Sequence, residues 1–90
     1  MRSIPDWKLH PNSTTGDYIT RSYSFSDFKS AFYFMSASAQ LAQKNDHHPD
    51  WHNLYNVVDV TLTTDDKLCL GTFDIKLAQG MDYIYDTVLV

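Results

Sequence analysis

Alternating apolar and polar residues predict two half-buried strands, one in each half of the chain. From Tyr18 to Phe25, apolar side chains share one parity and mostly hydroxyl side chains share the other, with Arg21 interrupting the apolar side. The same period of two recurs from Leu54 to Thr63, which is the clearest strand in the sequence. Successive side chains of a strand point to opposite faces, so each segment is expected to bury one face. Two shorter apolar segments, Trp7 to Leu9 and Leu68 to Leu70, predict a first strand and an edge strand.

A helical period follows the strand that ends at Phe25. Ser26 is predicted to be the N-cap, with Asp27 in the first turn, because both complement the amide groups and the dipole at a helix start. Apolar side chains then recur at helical spacing and predict a buried stripe of Phe28, Ala31, Phe32, Met35, Ala39 and Ala42. The helix is expected to end near Lys44 to Asp46, where Lys44 suits the dipole.

A second amphipathic helix is predicted in the C-terminal part of the chain. Gly71 is expected to be its N-cap, with Asp74 at the third helical position as a weakened capping box. Its buried face is marked by Leu77, Met81, Ile84 and Val88, interrupted only by Gly80. The order strand, strand, helix, strand, strand, helix predicts an α+β domain whose helices pack on one face of an antiparallel sheet. We expect residues 1–90 to form one domain.

Composition and charge narrow the class of protein. The 90 residues carry 11 acidic side chains, all aspartate, against 7 basic ones, a net charge of -4 that argues against direct nucleic-acid binding. The lone Cys69 excludes an intramolecular disulfide and fits a reducing compartment. Neither a signal peptide nor an apolar run of about 20 residues is visible, so we expect a cytoplasmic protein that does not enter a membrane.

The segment from Asp46 to His52 holds three of the four histidines and is the best clue to function. Pro49 biases His48 toward extended geometry, so the adjacent pair His47 and His48 is expected where the helix ends and the backbone turns. Because imidazole both gives and takes protons near neutral pH, the pair is a candidate for acid–base catalysis.

Other interpretations of this segment stay open on the residues alone. A metal site would draw on His47, His48, His52, Asp46 or Asp50, but Pro49 removes any assured common face for His48 and His52. The segment also fits a solvated helix end with no chemical role. A nucleophilic pair of Cys69 with a histidine is disfavoured, because Cys69 lies between two leucines and is expected to be buried and unreactive.

The sequence resembles the pterin-4a-carbinolamine dehydratase family from about Trp7 to the C-terminus. The resemblance rests on the helix start Asp27-Phe28, on His47-His48-Pro49 followed by Trp51 and Asn53-Leu54-Tyr55, and on the segments Thr61-Leu62-Thr63-Thr64 and Asp74-Ile75. The histidine pair, the tryptophan and the Asn-x-Tyr triplet stand at the right distance from the helix start. This combination is far more specific than a single short motif.

The resemblance implies a four-stranded antiparallel sheet with helices on one face, and subunits that associate as homodimers or homotetramers. It implies dehydration of 4a-hydroxytetrahydrobiopterin, with no cofactor and no metal. His47 and His48 inherit the acid and base roles. The pterin is expected to contact Asp46, His47, His48, Pro49, Trp51, Thr63, Thr64 and Asp65, although Trp51 equally fits the core.

Two positions depart from the family pattern. Asp65 stands where the family usually has a third histidine, and the neutral Gln43 stands where it commonly has a charged group, typically glutamate. An ionised carboxylate accepts a proton but holds none to donate, so Asp65 is expected to be a variant third catalytic residue in a slower enzyme. Gln43 can orient a histidine without balancing its charge. The alternative is a catalytically weakened member that binds a pterin or a protein partner, as the family's coactivators of a homeodomain transcription factor do.

Overall fold

Four antiparallel strands form one sheet in the order β1-β2-β4-β3. The computed structural model describes residues 4–11, 17–44, 47–63 and 72–89. Its elements are β1 (Lys8–His10), β2 (Tyr18–Ser24), α1 (Phe28–Lys44), β3 (Asp50–Leu54), β4 (Val57–Leu62) and α2 (Thr72–Leu89). The predicted α+β class with a four-stranded antiparallel sheet is therefore confirmed.

One face of the sheet supplies much of the hydrophobic core. Ile19 lies opposite Leu62 and Tyr23 opposite Val58 on the paired central strands, and each of the four is 2% exposed or less. The intervening residues, such as Asp59, point to the other face and are more accessible. This alternation shows that the helices cover one face and leave the other open.

β3 and β4 form a hairpin that the sequence pattern did not predict. The predicted strand from Leu54 to Thr63 is confirmed as β4 over Val57–Leu62, but its start is wrong, because Tyr55 and Asn56 form a turn and Leu54 belongs to β3. Tyr55 has a φ of 52°, and the Asn53 side-chain amide donates to the carbonyl oxygens of Tyr55 (3.1 Å) and Val57 (3.0 Å). The turn contains no glycine or proline, so the usual breaker residues do not mark it. The predicted strand Leu68–Leu70 lies outside the described residues.

The hairpin turn is also tied to the start of α1. The Phe25 amide donates to the Asn56 carbonyl over 2.9 Å, and the Asn56 side chain donates to the Phe25 carbonyl over 2.8 Å. Asp27, not Ser26, caps the helix, because its carboxylate accepts the Ser30 amide hydrogen bond at 2.9 Å. That hydrogen bond is the main reason why the pKa of Asp27 lies below its ordinary value.

The buried face of α1 is rotated from the predicted stripe. Its buried residues are Ala31, Phe34, Ser38 and Ala42, and Met35 packs partly buried against them. Phe28 and Phe32 were predicted to be core, as was Ala39, but all three are exposed. The prediction assigned the aromatic residues to the core, whereas the buried side of α1 is formed mainly by small residues, namely Ala31, Ser38 and Ala42.

The predicted apolar face of α2 is confirmed. Leu77 and Met81 are buried, and Ile84 and Val88 pack partly buried against the core. Gly80 lies against the Leu41 side chain of α1, where an added Cβ would clash with the leucine Cδ2 atom. The glycine thus marks a close approach of the two helices. Neither helix, within the described ranges, is long and apolar enough to cross a membrane.

One carboxylate oxygen on α2 joins three side chains from the rest of the fold. Asp82 Oδ1 accepts hydrogen bonds from Arg21 (2.6 Å), Tyr23 (2.6 Å) and Trp7 (3.0 Å). The Arg21 guanidinium also lies over the Tyr23 ring, 4.4 Å from its centroid. Burial of Tyr23, with its hydrogen bond to Asp82, raises the pKa of the phenol above its ordinary value. Arg21, which interrupts the apolar parity of β2, is thereby paired in the interior.

Replacing Asp82 by alanine is expected to lower the free energy of unfolding by about 3 kcal/mol, because it leaves a mostly buried guanidinium with only the exposed and more distant Asp6 carboxylate, 3.8 Å away. Chemical denaturation followed by circular dichroism measures this. Asp86, which is exposed on the same helix, provides the control, and Asp86→Ala should change stability by less than about 0.5 kcal/mol. Equal losses in the two variants would contradict a structural role for the shared carboxylate.

Candidate active site

The histidine pair lies on the short connection between α1 and β3. α1 ends at Lys44 and β3 begins at Asp50, and the His47 amide donates back to the Ala42 carbonyl over 3.0 Å. A bond across five residues has the span of the outer bond in a Schellman helix terminus. The predicted placement of the pair, where the helix ends and the chain becomes extended, is confirmed.

His47 contacts a buried carboxylate from the other helix. Its Nε2 atom lies within hydrogen-bonding distance of Oδ1 of Asp74, in the first turn of α2. The Asp74 side chain is 0% exposed, whereas that of His47 is 17% exposed. A carboxylate has no proton to give when ionised, so His47 donates from Nε2. The contact joins the end of α1 to the start of α2.

His48 has a different and neutral partner. Its Nε2 atom lies 3.1 Å from Oε1 of Gln43, in the last turn of α1, and both side chains are exposed. The predicted capacity of Gln43 to orient a histidine therefore corresponds to an observed hydrogen bond. The two adjacent rings differ in both the charge and the burial of their partners.

The other predicted site residues are placed only in part. Pro49 is half-buried between the pair and β3. Trp51 is partly buried and packs against the core, which supports its structural role. The Thr63 hydroxyl donates to the Asp17 carbonyl over 3.3 Å. Asp46, Thr64 and Asp65 lie outside the described residues.

The third histidine of the segment does not join the other two in a cluster. His52 lies on β3, opposite Asp59 of β4. Its side chain points to the same face of the sheet as that of Asp50, which is the face opposite to Trp51. Within the described ranges, no three histidine, cysteine, aspartate or glutamate side chains converge in a way that could hold a metal ion.

The arrangement of the pair is suited to proton transfer. On both rings Nε2 is engaged by an oxygen acceptor, and neither Nδ1 has a partner among the described residues. Each ring therefore retains a second nitrogen that can give or take a proton at a bound molecule. Two such nitrogens on consecutive residues are able to supply an acid and a base to one small molecule.

Sequence reasoning missed the part that Asp74 plays beside His47. It treated this aspartate as a helix-capping residue and did not connect it to the histidines. A signal was present, because Asp74, Leu77, Ala78 and Met81 follow the spacing of one helical face. All four are buried. An acidic residue on the apolar face of a helix requires a buried partner.

Comparison with known proteins identifies the family. The family model described as pterin 4 alpha carbinolamine dehydratase matches residues 1–84. A putative pterin-4-alpha-carbinolamine dehydratase of Bordetella avium is 45% identical over 82 residues, which cover 91% of this chain and 73% of that protein. One of the same description from Rhodospirillum rubrum is 48% identical over 80 residues, with 89% and 80% covered.

Two solved structures are also similar. A transcriptional coactivator/pterin dehydratase from Brucella melitensis has a TM-score of 0.80 at 44% identity, covering 89% of this chain and 82% of that one. A pterin dehydratase-like protein described as a RuBisCO assembly factor in the alpha-carboxysome has a TM-score of 0.74 at 17% identity, covering 89% and 92%, and shares the fold. The match across nearly the whole chain, together with the paired histidines and their position in the fold, places this protein in the pterin-4a-carbinolamine dehydratase family.

Proposed function

We propose that the chain dehydrates 4a-hydroxytetrahydrobiopterin to quinonoid dihydrobiopterin in tetrahydrobiopterin recycling. The observation that carries this proposal is the contact of His47 with the buried Asp74 carboxylate, beside a second histidine with a neutral partner. Acid–base dehydration requires one group that holds a proton and one that accepts it. The pair meets this requirement with side chains of this chain alone, so the proposal includes no metal and no cofactor.

The reaction assigns a different proton to each ring. The C4a–O bond breaks and the hydroxyl leaves as water with a proton from His47, whose ring is held at Nε2 by the Asp74 carboxylate. His48 takes the N5 proton, and the electron pair of that N–H bond forms the C4a=N5 double bond. One proton is given and one is taken, so the reaction is balanced.

We also propose roles for site residues other than the histidine pair. Asp65 is proposed as the third catalytic residue in place of the family's usual histidine. Pterin contacts are proposed for Asp46, His47, His48, Pro49, Trp51, Thr63, Thr64 and Asp65. Because Asp65 accepts but does not donate a proton when ionised, the acid step falls on the pair.

A second candidate function is a protein-interaction role, and the exposed face of α1 favours it. Phe28, Phe32 and Tyr33 are 46%, 58% and 60% exposed, and the first two rings stack with centroids 5.9 Å apart. Clustered exposed aromatic side chains are typical of association surfaces. We propose homodimers or homotetramers on this basis, and a catalytically weakened member that binds another protein is the alternative to the enzyme.

Substituting the paired histidines tests the enzyme directly. His47→Ala and His48→Ala are each expected to lower kcat by about 100- to 10,000-fold, the usual contribution of one positioned acid or base. The absorbance change of freshly generated 4a-hydroxytetrahydrobiopterin measures the rate. His52→Ala is the matched control and should retain turnover, because this exposed histidine lies on the face of β3 opposite to Trp51. Similar losses in all three variants would exclude a specific role for the pair.

Asp74→Asn tests the buried partner of His47. The amide keeps the size of the side chain but removes its charge, so kcat should fall by about 10- to 100-fold through loss of charge stabilisation at His47. Asp86→Asn on the exposed side of α2 is the control and should leave kcat unchanged. Circular dichroism of both variants separates a catalytic loss from unfolding. A folded Asp74→Asn protein with full turnover would show that His47 does not need the carboxylate.

Asp65→His separates the enzyme from the interaction protein. The unmutated chain is expected to dehydrate the substrate above the background rate, and Asp65→His to raise kcat by about 10-fold or more by adding a proton donor. Turnover in Asp65→His alone would instead mean that the unmutated protein retains a pterin pocket but has lost the dehydratase activity. Background rates in both proteins would reject the dehydratase and favour the interaction role.

A further inference from the structure

The atoms that meet in the hydrogen bond between Gln43 and His48 identify its donor. Oε1 of Gln43 is a carbonyl oxygen and carries no hydrogen, so the donor in the 3.1 Å contact is Nε2 of His48. A neutral imidazole has a single N–H group. With that group on Nε2, the unprotonated nitrogen of His48 is Nδ1.

We infer that Gln43 is a positioning residue that holds the proton of His48 on Nε2 and leaves Nδ1 as the atom that takes a proton from the substrate. This inference rests on the proposed dehydration and adds to it the reacting atom and the residue that selects it. Gln43 lies in the last turn of α1, and its amide oxygen meets the ring of His48, five residues further along the chain. The amide acts without adding a charge beside the ring.

The neutral amide has a consequence that a carboxylate at this position would not share. Asp74 places a carboxylate beside the neighbouring His47, whereas Gln43 offers His48 a hydrogen bond and no counter-charge. His48 is thereby suited to begin the reaction as a neutral base, and His47 as the proton donor. The two helices thus supply different partners to consecutive residues.

The tautomer of His48 is measured by 15N correlation spectroscopy, in which protonated and unprotonated ring nitrogens have well separated shifts. Spectra are recorded at about pH 8, above the ordinary histidine pKa of about 6.5, and the His48 signals are assigned by their loss in His48→Asn. The unmutated protein should show His48 protonated at Nε2 alone. Gln43→Leu should introduce the Nδ1–H tautomer and lower kcat by about 2- to 10-fold with little change in KM, as expected for loss of one hydrogen bond.

Two variants control this experiment. Gln43→Glu keeps an oxygen acceptor at the same place and should restore the Nε2–H tautomer, which a merely structural role would not predict. Gln40→Leu makes the same chemical change at an exposed position one turn earlier on α1, and it should alter neither the spectrum nor kcat. Since both glutamines are exposed and leucine is a good helix former, the helix is expected to persist.

The inference is overturned if His48 of the unmutated protein carries its proton on Nδ1, or if Gln43→Leu leaves the tautomer unchanged. Failure of the proposed function has a different result. Background turnover in the unmutated protein and in Asp65→His, together with the expected tautomers, would reject the dehydratase while the Gln43 hydrogen bond stands. Full turnover in a Gln43→Leu protein with mixed tautomers would reject Nδ1 as the reacting atom.

Discussion

A carboxylate buried in the first turn of α2 has to be matched by a hydrogen-bond donor, and His47 provides one. Burying an unpaired charge costs several kcal/mol, so the position of Asp74, which is 0% exposed, constrains the chain that follows α1. His47 is held from two sides, by its side-chain contact with Asp74 and by its amide hydrogen bond to Ala42. The contact therefore joins the two helices and also orients the His47 ring.

His48 follows immediately but is constrained in another way. Its partner Gln43 belongs to the helix that has just ended, and both side chains are exposed. One ring is thus fixed by the protein interior and its neighbour by a surface amide. Enzymes commonly divide acid and base roles between similar groups by giving them different surroundings. Here α1 has already ended at Lys44, and Pro49 holds His48 toward extended geometry, so the two consecutive rings reach different partners.

Much of this arrangement could be predicted from the sequence. The α+β class follows from local periodicity and the position of the histidine pair from Pro49, whereas the four-stranded sheet was implied by the family resemblance. The strand boundary at Leu54 did not, because the turn at Tyr55 is held by Asn53 and Asn56 side chains rather than by glycine or proline. The contact of His47 with Asp74 spans 27 residues, and no local pattern contains it. The Asp82 hydrogen bonds to Trp7, Arg21 and Tyr23 were missed for the same reason.

The proposed catalytic and association roles depend on different parts of α1. Phe28, at the start of the exposed aromatic face, and Gln43, beside His48, are fifteen residues apart on α1. At about 1.5 Å of rise per residue they are separated by about 22 Å along the helix axis. A partner bound at the aromatic end therefore need not cover the histidine pair. The substitution at Gln43 therefore lies at the opposite end of α1 from Phe28 and leaves the exposed aromatic surface unchanged.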